Sequence, residues 1–277
     1  SNEFKHMIKR ELIMSYESHL QSKKYFDETA KVYNKRSGGL VYDFSSLMFK
    51  RRNEIVEKFI SPSKGFQTIL DYGMGPGVFA RFCTENGFSF IGIDISTKMV
   101  KMAKSLKLEN ANFEVGDVDS LNQYEGKIDY VVAIGLIDYV EEPMKVIKSL
   151  TSCTKKNGHL IISFRNQNSL PGVLRDTVKW IWNKIFKNKI KNSEKVFFTS
   201  QHEHSFDFTT QILPVLKELG FDNYKIKYFN CSPIFFNFPI KPWIWHKWFK
   251  IDSKISSSLT KIFCSGFVVH ATKVEKK

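Results

Sequence analysis

The chain has no Cys-x-x-Cys pair and no cysteine–histidine cluster at zinc spacing, because Cys83, Cys153, Cys231 and Cys264 stand far apart. Neither a disulfide framework nor a structural metal is expected, no metal ligand is assigned, and a reducing compartment suits such usage. No run of eighteen apolar residues and no apolar leader occurs. Their absence argues against a spanning helix and against secretion, so a cytoplasmic location is expected. Internal repeats and low-complexity linkers are missing too. With 277 residues, 42% of them hydrophobic, one large domain or one domain with a cap is expected. Acidic residues are scarce, with 28 Asp and Glu against 42 Lys and Arg, a formal charge of +14. Such a balance suits nucleic acid or an anionic surface.

The run Thr68-Ile-Leu-Asp-Tyr-Gly-Met-Gly-Pro-Gly77 carries the strongest signal. An apolar strand ends in an acid and is followed by three glycines at alternate positions, a turn with no side chains to block a ligand. A dinucleotide fingerprint needs a third small residue where this chain has Val78, so phosphate cradling is the weaker reading. Two further strands end in carboxylates, Ser89-Phe-Ile-Gly-Ile-Asp94 and Asn112-Phe-Glu-Val-Gly-Asp117. Three acidic strand ends in succession outline a nucleoside-binding crevice. The unbroken apolar run Lys127–Gly135 is a buried strand. Lys155–Phe164 supplies a turn at Asn157-Gly158 and a fifth strand, and 223–229 and 264–272 form the last two. Helices are expected at 76–86, 96–107, 143–153 and 209–219. The alternation predicts a doubly wound, mostly parallel α/β sheet with helices on both faces.

These residues resemble the class I S-adenosylmethionine-dependent methyltransferases, whose first motif is D/E-x-G-x-G-x-G. Asp71, Gly73, Gly75 and Gly77 match it, Asp94 matches the second motif and Asp117 the third. The resemblance implies a Rossmann-like seven-stranded sheet with an antiparallel last strand, S-adenosyl-L-methionine as cofactor and S-adenosyl-L-homocysteine as product. It assigns Asp94 to the ribose hydroxyls, Asp117 and the Val118 N–H to the adenine edge, and Asp71 to the neighbourhood of the ammonium group. Ile95, Met99, Ile134 and Gly135 complete the cofactor side. Lys24-Tyr-Phe-Asp-Glu-Thr-Ala-Lys-Val-Tyr-Asn34 is similar to a pattern that precedes the first motif in methyltransferases of the ubiquinone-biosynthesis type. There it forms part of a lid, and Tyr25, Phe26 and Tyr33 would wall the sulfonium. The implied organisation is a helical lid region over 1–60 and a methyltransferase domain over 61–277.

Two insertions, 165–208 and 230–263, follow strands whose ends face the site, so a largely helical acceptor-binding cap is expected. They hold all five tryptophans and a net +8 of the formal +14. Val178, Ile181, Trp182, Ile185 and Phe186 form one apolar stripe, and Ile244, Trp248, Ile251, Ile255, Leu259 and Ile262 a second, after Pro242. Trp and Lys interleaved on a helix fit either an anionic membrane interface or an aromatic core between cap and domain. Nucleic acid fits less well. Ile134–Tyr139 stands where base-amino methyltransferases carry Asn/Asp-Pro-Pro-Tyr, and no cysteine follows a proline as cytosine chemistry needs.

Transfer to a phenol or alcohol needs a base. Tyr139 and His204 are the candidates, with His202 and His246 behind them. The expected activity is O-methylation of an apolar, aromatic or lipid-linked small molecule by a cytoplasmic enzyme, peripheral on the inner face of the membrane if the cap seats there. N-methylation of a small amine, ribose methylation of RNA and a non-catalytic partner-docking module stay open as alternatives.

Overall fold

In the computed structural model, which describes residues 20–35, 42–61, 65–174, 177, 203–231, 241–255 and 258–274, the apolar runs become one sheet. β1 (Thr68–Tyr72), β2 (Ser89–Asp94), β3 (Ala111–Val115), β4 (Ile128–Ala133) and β5 (Thr154–Arg165) pair in parallel. β6 (Phe221–Phe229) is reached through β7 (Gly266–Lys273), which lies antiparallel to both neighbours and gives the order β3-β2-β1-β4-β5-β7-β6. This is the class I methyltransferase sheet with its antiparallel last strand. Every residue of β4 is buried, as an apolar run covered on both faces requires.

The helices split between the faces. α1 (20–35) and α2 (Phe44–Phe59) precede the sheet, followed by α3 (Val78–Glu85), α4 (Thr97–Lys104) and α5 (Pro143–Cys153). α6 opens at residue 170 and is described to 174; α7 (Leu213–Glu218) continues from a π-wound turn at Phe208–Ile212. α8 (Pro242–Ile255) lies between β6 and β7. Ile55, Val56, Phe79, Ala80, Cys83, Val100 and Ala103 bring α2, α3 and α4 onto one face with Tyr130 and Val132. Val146, Ile147, Leu150 and Leu216 bring α5 and α7 onto the other, with Val131 and Ala133. Each fully buried large side chain contributes about 1.5–3 kcal/mol. Asp43 starts α2 with a capping box, its Oδ1 accepting the Ser46 N–H at 2.7 Å and the Ser46 Oγ accepting the Asp43 N–H at 3.1 Å.

Three expectations change in detail. Asn157, at φ 60°, forms a bulge inside β5 and not a turn ahead of it: the register steps from Ile128↔Thr154 to Tyr130↔His159. Cys231 and Cys264, expected to be free, form a disulfide. The reason is register. β6 and β7 end with Phe229 opposite Gly266, and two residues further out Cys231 lies opposite Cys264. The cysteine spacing cannot reveal that ladder, and the bond weakens the argument for a reducing compartment. The third change concerns α8. Its buried face is Trp245, with Trp248 and Phe249 partly buried and Asp252 fully buried, whereas Ile244 and Ile262 of the expected stripe are exposed. Ile255 and Leu259 have no described side chains, and the expected stripe at 178–186 and His202 lie outside the described residues.

Candidate functional site

β1, β2, β4, β5 and β6 run in one direction, so their carboxyl ends share one edge, where α/β sheets bind ligands. After Tyr72 the chain turns through Gly73 at φ 78°, with its N–H on the Ile93 carbonyl at 2.8 Å. Only glycine takes this backbone without strain, and a Cβ on Gly73 would stand 2.9 Å from the Leu136 methyls. Gly75 and Gly77 are also left-handed, and Tyr33 of α1 lies over Gly75. Gly77 caps α3, which begins at Val78.

Asp94 closes the turn from β2. Its Oδ2 accepts the Gly75 N–H and its Oδ1 the Ser96 N–H, both at 2.8 Å, and it is buried. Burial pushes its carboxyl up, and the two backbone donors oppose the rise. Ile95 follows partly buried, and Met99 is buried with its N–H on the Ser96 Oγ at 3.1 Å. Asp117 is a helix cap as well as a strand end. Its Oδ1 accepts the Asp119 and Ser120 N–H groups at 3.0 and 3.3 Å, opening the 3₁₀ turn Val118–Tyr124.

Across the turn lies a buried cation that the sequence reading missed. Arg52 of α2 is 6% exposed, and its guanidinium packs against the Gly135 α-carbon so closely that a Cβ there would collide with it. Gly135 is left-handed at φ 69°, and its N–H reaches the Ser163 Oγ at 2.7 Å; Ile134 beside it is buried. Arg52 also hydrogen-bonds Tyr33 and lies within electrostatic reach of Asp71 and Asp138. Asp71 is pushed up to about 8 by burial and by the Asp94 charge, against the pull of Arg52. In the cofactor-free protein it therefore holds its proton for most of the time at neutral pH.

Asp138 is a second group that the sequence reading passed over. Its Oδ1 accepts the Arg165 N–H at 2.9 Å and its carbonyl accepts the His204 N–H at 2.8 Å. Burial raises its carboxyl to about 6, opposed by the Arg165 N–H and the Arg52 charge. The loop after β4 and the strand of chain before α7 thus bring Tyr139 and His204 to the same corner. Burial and the Asp138 charge push the Tyr139 phenol well above its ordinary range, so it is protonated at neutral pH. His246 lies elsewhere, edge-on to Trp245 at 5.0 Å.

α1 is fastened to this site at two points. Tyr33 meets Gly75 and lies edge-on to Phe49 at 4.8 Å. Asp27 accepts the Ser96 Oγ–H at 2.6 Å and the Lys98 N–H at 3.1 Å, so a carboxylate from α1 completes the N-terminus of α4. Tyr25 packs edge-on against Phe26 at 5.3 Å. The missed groups left traces in the sequence. Asp27 belongs to Tyr25-Phe26-Asp27, and Asp138 is a fourth acid just past a strand. Arg52 sits in the apolar stripe Met48, Ile55, Phe59, where a charge is out of place.

The site fits an amino-acid-bearing nucleoside. Asp71 Oδ1 and Arg52 Nε are buried without a hydrogen-bond partner, one an acceptor and one a cationic donor, which complement an ammonium and a carboxylate. The turn itself carries no side chain at its glycines, and Asp94 supplies ribose-type acceptors.

Comparison with known proteins identifies the family. A family model described as a methyltransferase domain matches residues 40–225. The chain is 25% identical over 200 residues to an uncharacterized protein of Methanocaldococcus jannaschii, covering 72% of this chain and 82% of that protein. It is 30% identical over 106 residues to the ubiquinone biosynthesis O-methyltransferase of Nitrosomonas europaea, covering 37% of this chain and 45% of that enzyme. The chain thus spans under half the length of that enzyme. Among solved structures, magnesium protoporphyrin IX methyltransferase from Synechocystis PCC 6803 with bound S-adenosylhomocysteine superposes with a TM-score of 0.59 at 18% identity, covering 91% and 97% of the two chains. With two thirds of its length inside the family model, the chain belongs to the methyltransferase-domain family and is an S-adenosylmethionine-dependent methyltransferase.

Proposed function

We propose that the enzyme methylates a hydroxyl of an apolar, aromatic or lipid-linked small molecule at the cytoplasmic face of a membrane. The observation that carries this reading is the setting of the site. Exposed apolar side chains gather on the chain leaving β5 and on the segment between β6 and β7, both of which begin at the edge that bears the glycine turn. They include Leu170, Val173 and Leu174 on α6, Trp243 on α8, and Ile262 and Phe263 ahead of β7. Ubiquinone biosynthesis and magnesium protoporphyrin IX, in the names of two similar proteins, point to acceptors of this kind.

S-adenosyl-L-methionine, when bound, supplies a methyl group on a positively charged sulfur. In our reading Asp94 holds the ribose hydroxyls, Asp117 and the Val118 N–H hold the adenine edge, and Ile95, Met99 and Ile134 line the cofactor. Asp71 holds the ammonium and Arg52 the carboxylate, while Gly73, Gly75 and Gly135 let the backbone approach. Tyr33, kept by α1 over Gly75, excludes water, with Tyr25 further along the same lid. Positioning supplies most of the acceleration. The acceptor proton passes to Asp138 or His204, and Tyr139 donates a hydrogen bond, since a phenol pushed up by burial is a poor base at neutral pH.

Calorimetric titration with S-adenosylhomocysteine, with NAD as control, tests the cofactor side: binding of NAD in its place would overturn it. Labelled methyl transfer to phenols and long-chain alcohols, compared with amines and RNA, tests the acceptor. Label on an amine or on ribose would replace the O-methyl reading. Binding without transfer to any of these acceptors would favour a partner-docking module. Asp138→Asn and His204→Ala separate the two bases, because the one that carries the proton loses the rise of kcat with pH.

A further inference from the structure

α8 carries aromatic groups on two opposite sides, and only one side has a core to pack on. On the inner side the Trp245 Nε1–H reaches the Asp43 carbonyl and the Ser46 Oγ, both at 3.2 Å, and the indole stacks on Phe249 with 5.3 Å between centroids. Asp252 follows, fully buried, accepting the Cys231 N–H at 2.6 Å and pairing with Arg51 at 3.5 Å. Core packing accounts for this side completely.

Two residues before each of these stand Trp243, Lys247 and Lys250, about 200° away around a helix of 3.6 residues per turn. Trp243 is 64% exposed and Ile244 38% exposed, and Lys241, Lys247 and Lys250 are exposed with them. Residues 241–250 contain no acid, and Asp252, the one acid of the helix, is turned inward. The segment after the helix repeats the mixture with Lys261, Ile262 and Phe263. This side of the helix carries rings and lysines with no acid of its own, and it exposes an indole to water. It matches the interfacial layer of a bilayer, where rings sit at headgroup depth and ammonium groups reach lipid phosphates.

The placement of the helix strengthens the argument. β6 ends at the edge of the sheet that bears the site, and Asp252 ties α8 to the residues just beyond it, Asn230 and Cys231. Trp245 ties the helix to the start of α2, which carries Arg52. A surface bound by α8 therefore lies near the mouth of the site.

We infer that the outer face of α8, through Trp243, Ile244 and Lys247, docks the enzyme on an anionic phospholipid surface. This deepens the reading of an apolar or lipid-linked acceptor and rests on it for its purpose, though not for its test. In flotation assays the whole chain should bind mixed phosphatidylglycerol–phosphatidylcholine vesicles, bind pure phosphatidylcholine far less, and detach as salt rises. Lys247→Glu should lower the partition at least about fivefold, the effect of one charge at an anionic surface. Trp243→Ser with Ile244→Ser should lower it comparably, while affinity for S-adenosylhomocysteine stays within about twofold, which separates docking from the cofactor site. A brominated lipid should quench tryptophan emission in the native chain and less in Trp243→Phe, a substitution that leaves the fold intact.

Equal flotation of native chain and variants overturns the proposal, as does absence of flotation by a chain that binds S-adenosylhomocysteine. Binding to single-stranded RNA that follows the lysines but ignores Ile244 would make the face a nucleic-acid surface. A dimer in sedimentation that dissolves in Trp243→Ser would make it a contact between copies. Either result also overturns the lipid proposal.

Discussion

Asp94 and Asp252 are both buried carboxylates, held in opposite ways. Asp94 is gripped by backbone donors near its own turn, the N–H of Ser96 two residues on and that of Gly75 in the adjoining strand's loop. Asp252 depends on Arg51, about two hundred residues earlier in the chain, and on the N–H groups of Asn230 and Cys231 across a loop. The first arrangement holds a carboxylate at the strand end next to the glycine turn, as the proposed ribose site requires. The second ties two distant segments together. In the function proposed above, one half of the molecule uses its buried charge for binding and the other for attaching α8.

The comparison predicts separable failures. The largest is at α8: Asp252→Ala takes the acceptor from the Asn230 and Cys231 N–H groups and leaves buried Arg51 with Glu54 as its carboxylate partner, and should cost about 3 kcal/mol of unfolding free energy. Chemical denaturation measures it, and affinity for S-adenosylhomocysteine should be retained wherever the variant is folded. A variant that lost cofactor affinity in proportion would erase the distinction. In the other half, Asp94→Ala should weaken cofactor binding by about 1–3 kcal/mol through loss of charge-assisted bonds. Unchanged affinity in calorimetry would remove Asp94 from the ribose site.

The sheet between the halves holds a histidine pair that tests acid stability. His270 Nε2 lies 3.2 Å from His159 Nδ1, with Phe59 stacked on His270 and Lys225 nearby. Burial, then the charges of His159 and Lys225, lowers His270 to about 4 from an ordinary 6.5. The unfolded chain therefore takes up a proton that the folded chain refuses. The stability is complete above pH 6.5 and is lost as pH falls toward 4, by an amount on the order of 2 kcal/mol. His270→Phe should flatten that acid limb in thermal melts, and an unchanged limb would assign it to other groups.

Asp71 gives an effect of the opposite sign. Its folded value, about 8, lies above its ordinary 3.8, so the folded chain binds the extra proton and stability declines as pH rises through that window. Asp71→Asn should raise the melting point of the cofactor-free protein at pH 8, where the buried carboxylate is ionised about half the time, while weakening cofactor binding. A variant that lost both would show that Asp71 supports the turn and does not await a ligand.

Much of the first half was legible because its signals are local. A strand, an acid and glycines at alternate positions specify a turn within ten residues, and alternation of strands and helices specifies the doubly wound sheet. Pro143 marked the start of α5 to the residue. Ser96 was less visible, because its cap on α4 is completed by Asp27 from another helix. Arg52 and Asp138 went unread for the same kind of reason. Their importance comes from what they face, a collision-close glycine and a displaced N–H group from β5, and neither contact has a sequence interval that announces it.

By itself, the sequence determined the order of elements, the glycine turn and the three acidic strand ends, since each follows from conformational preferences within a few residues. Tertiary structure decided which side of α8 is core, that Cys231 meets Cys264, and that Arg52 enters the site. Those outcomes depend on antiparallel register and helix placement, which join residues far apart in the chain. The preference of α8 was double-sided from the start. Packing against α2 chose Trp245 for the interior and left Trp243 to the solvent.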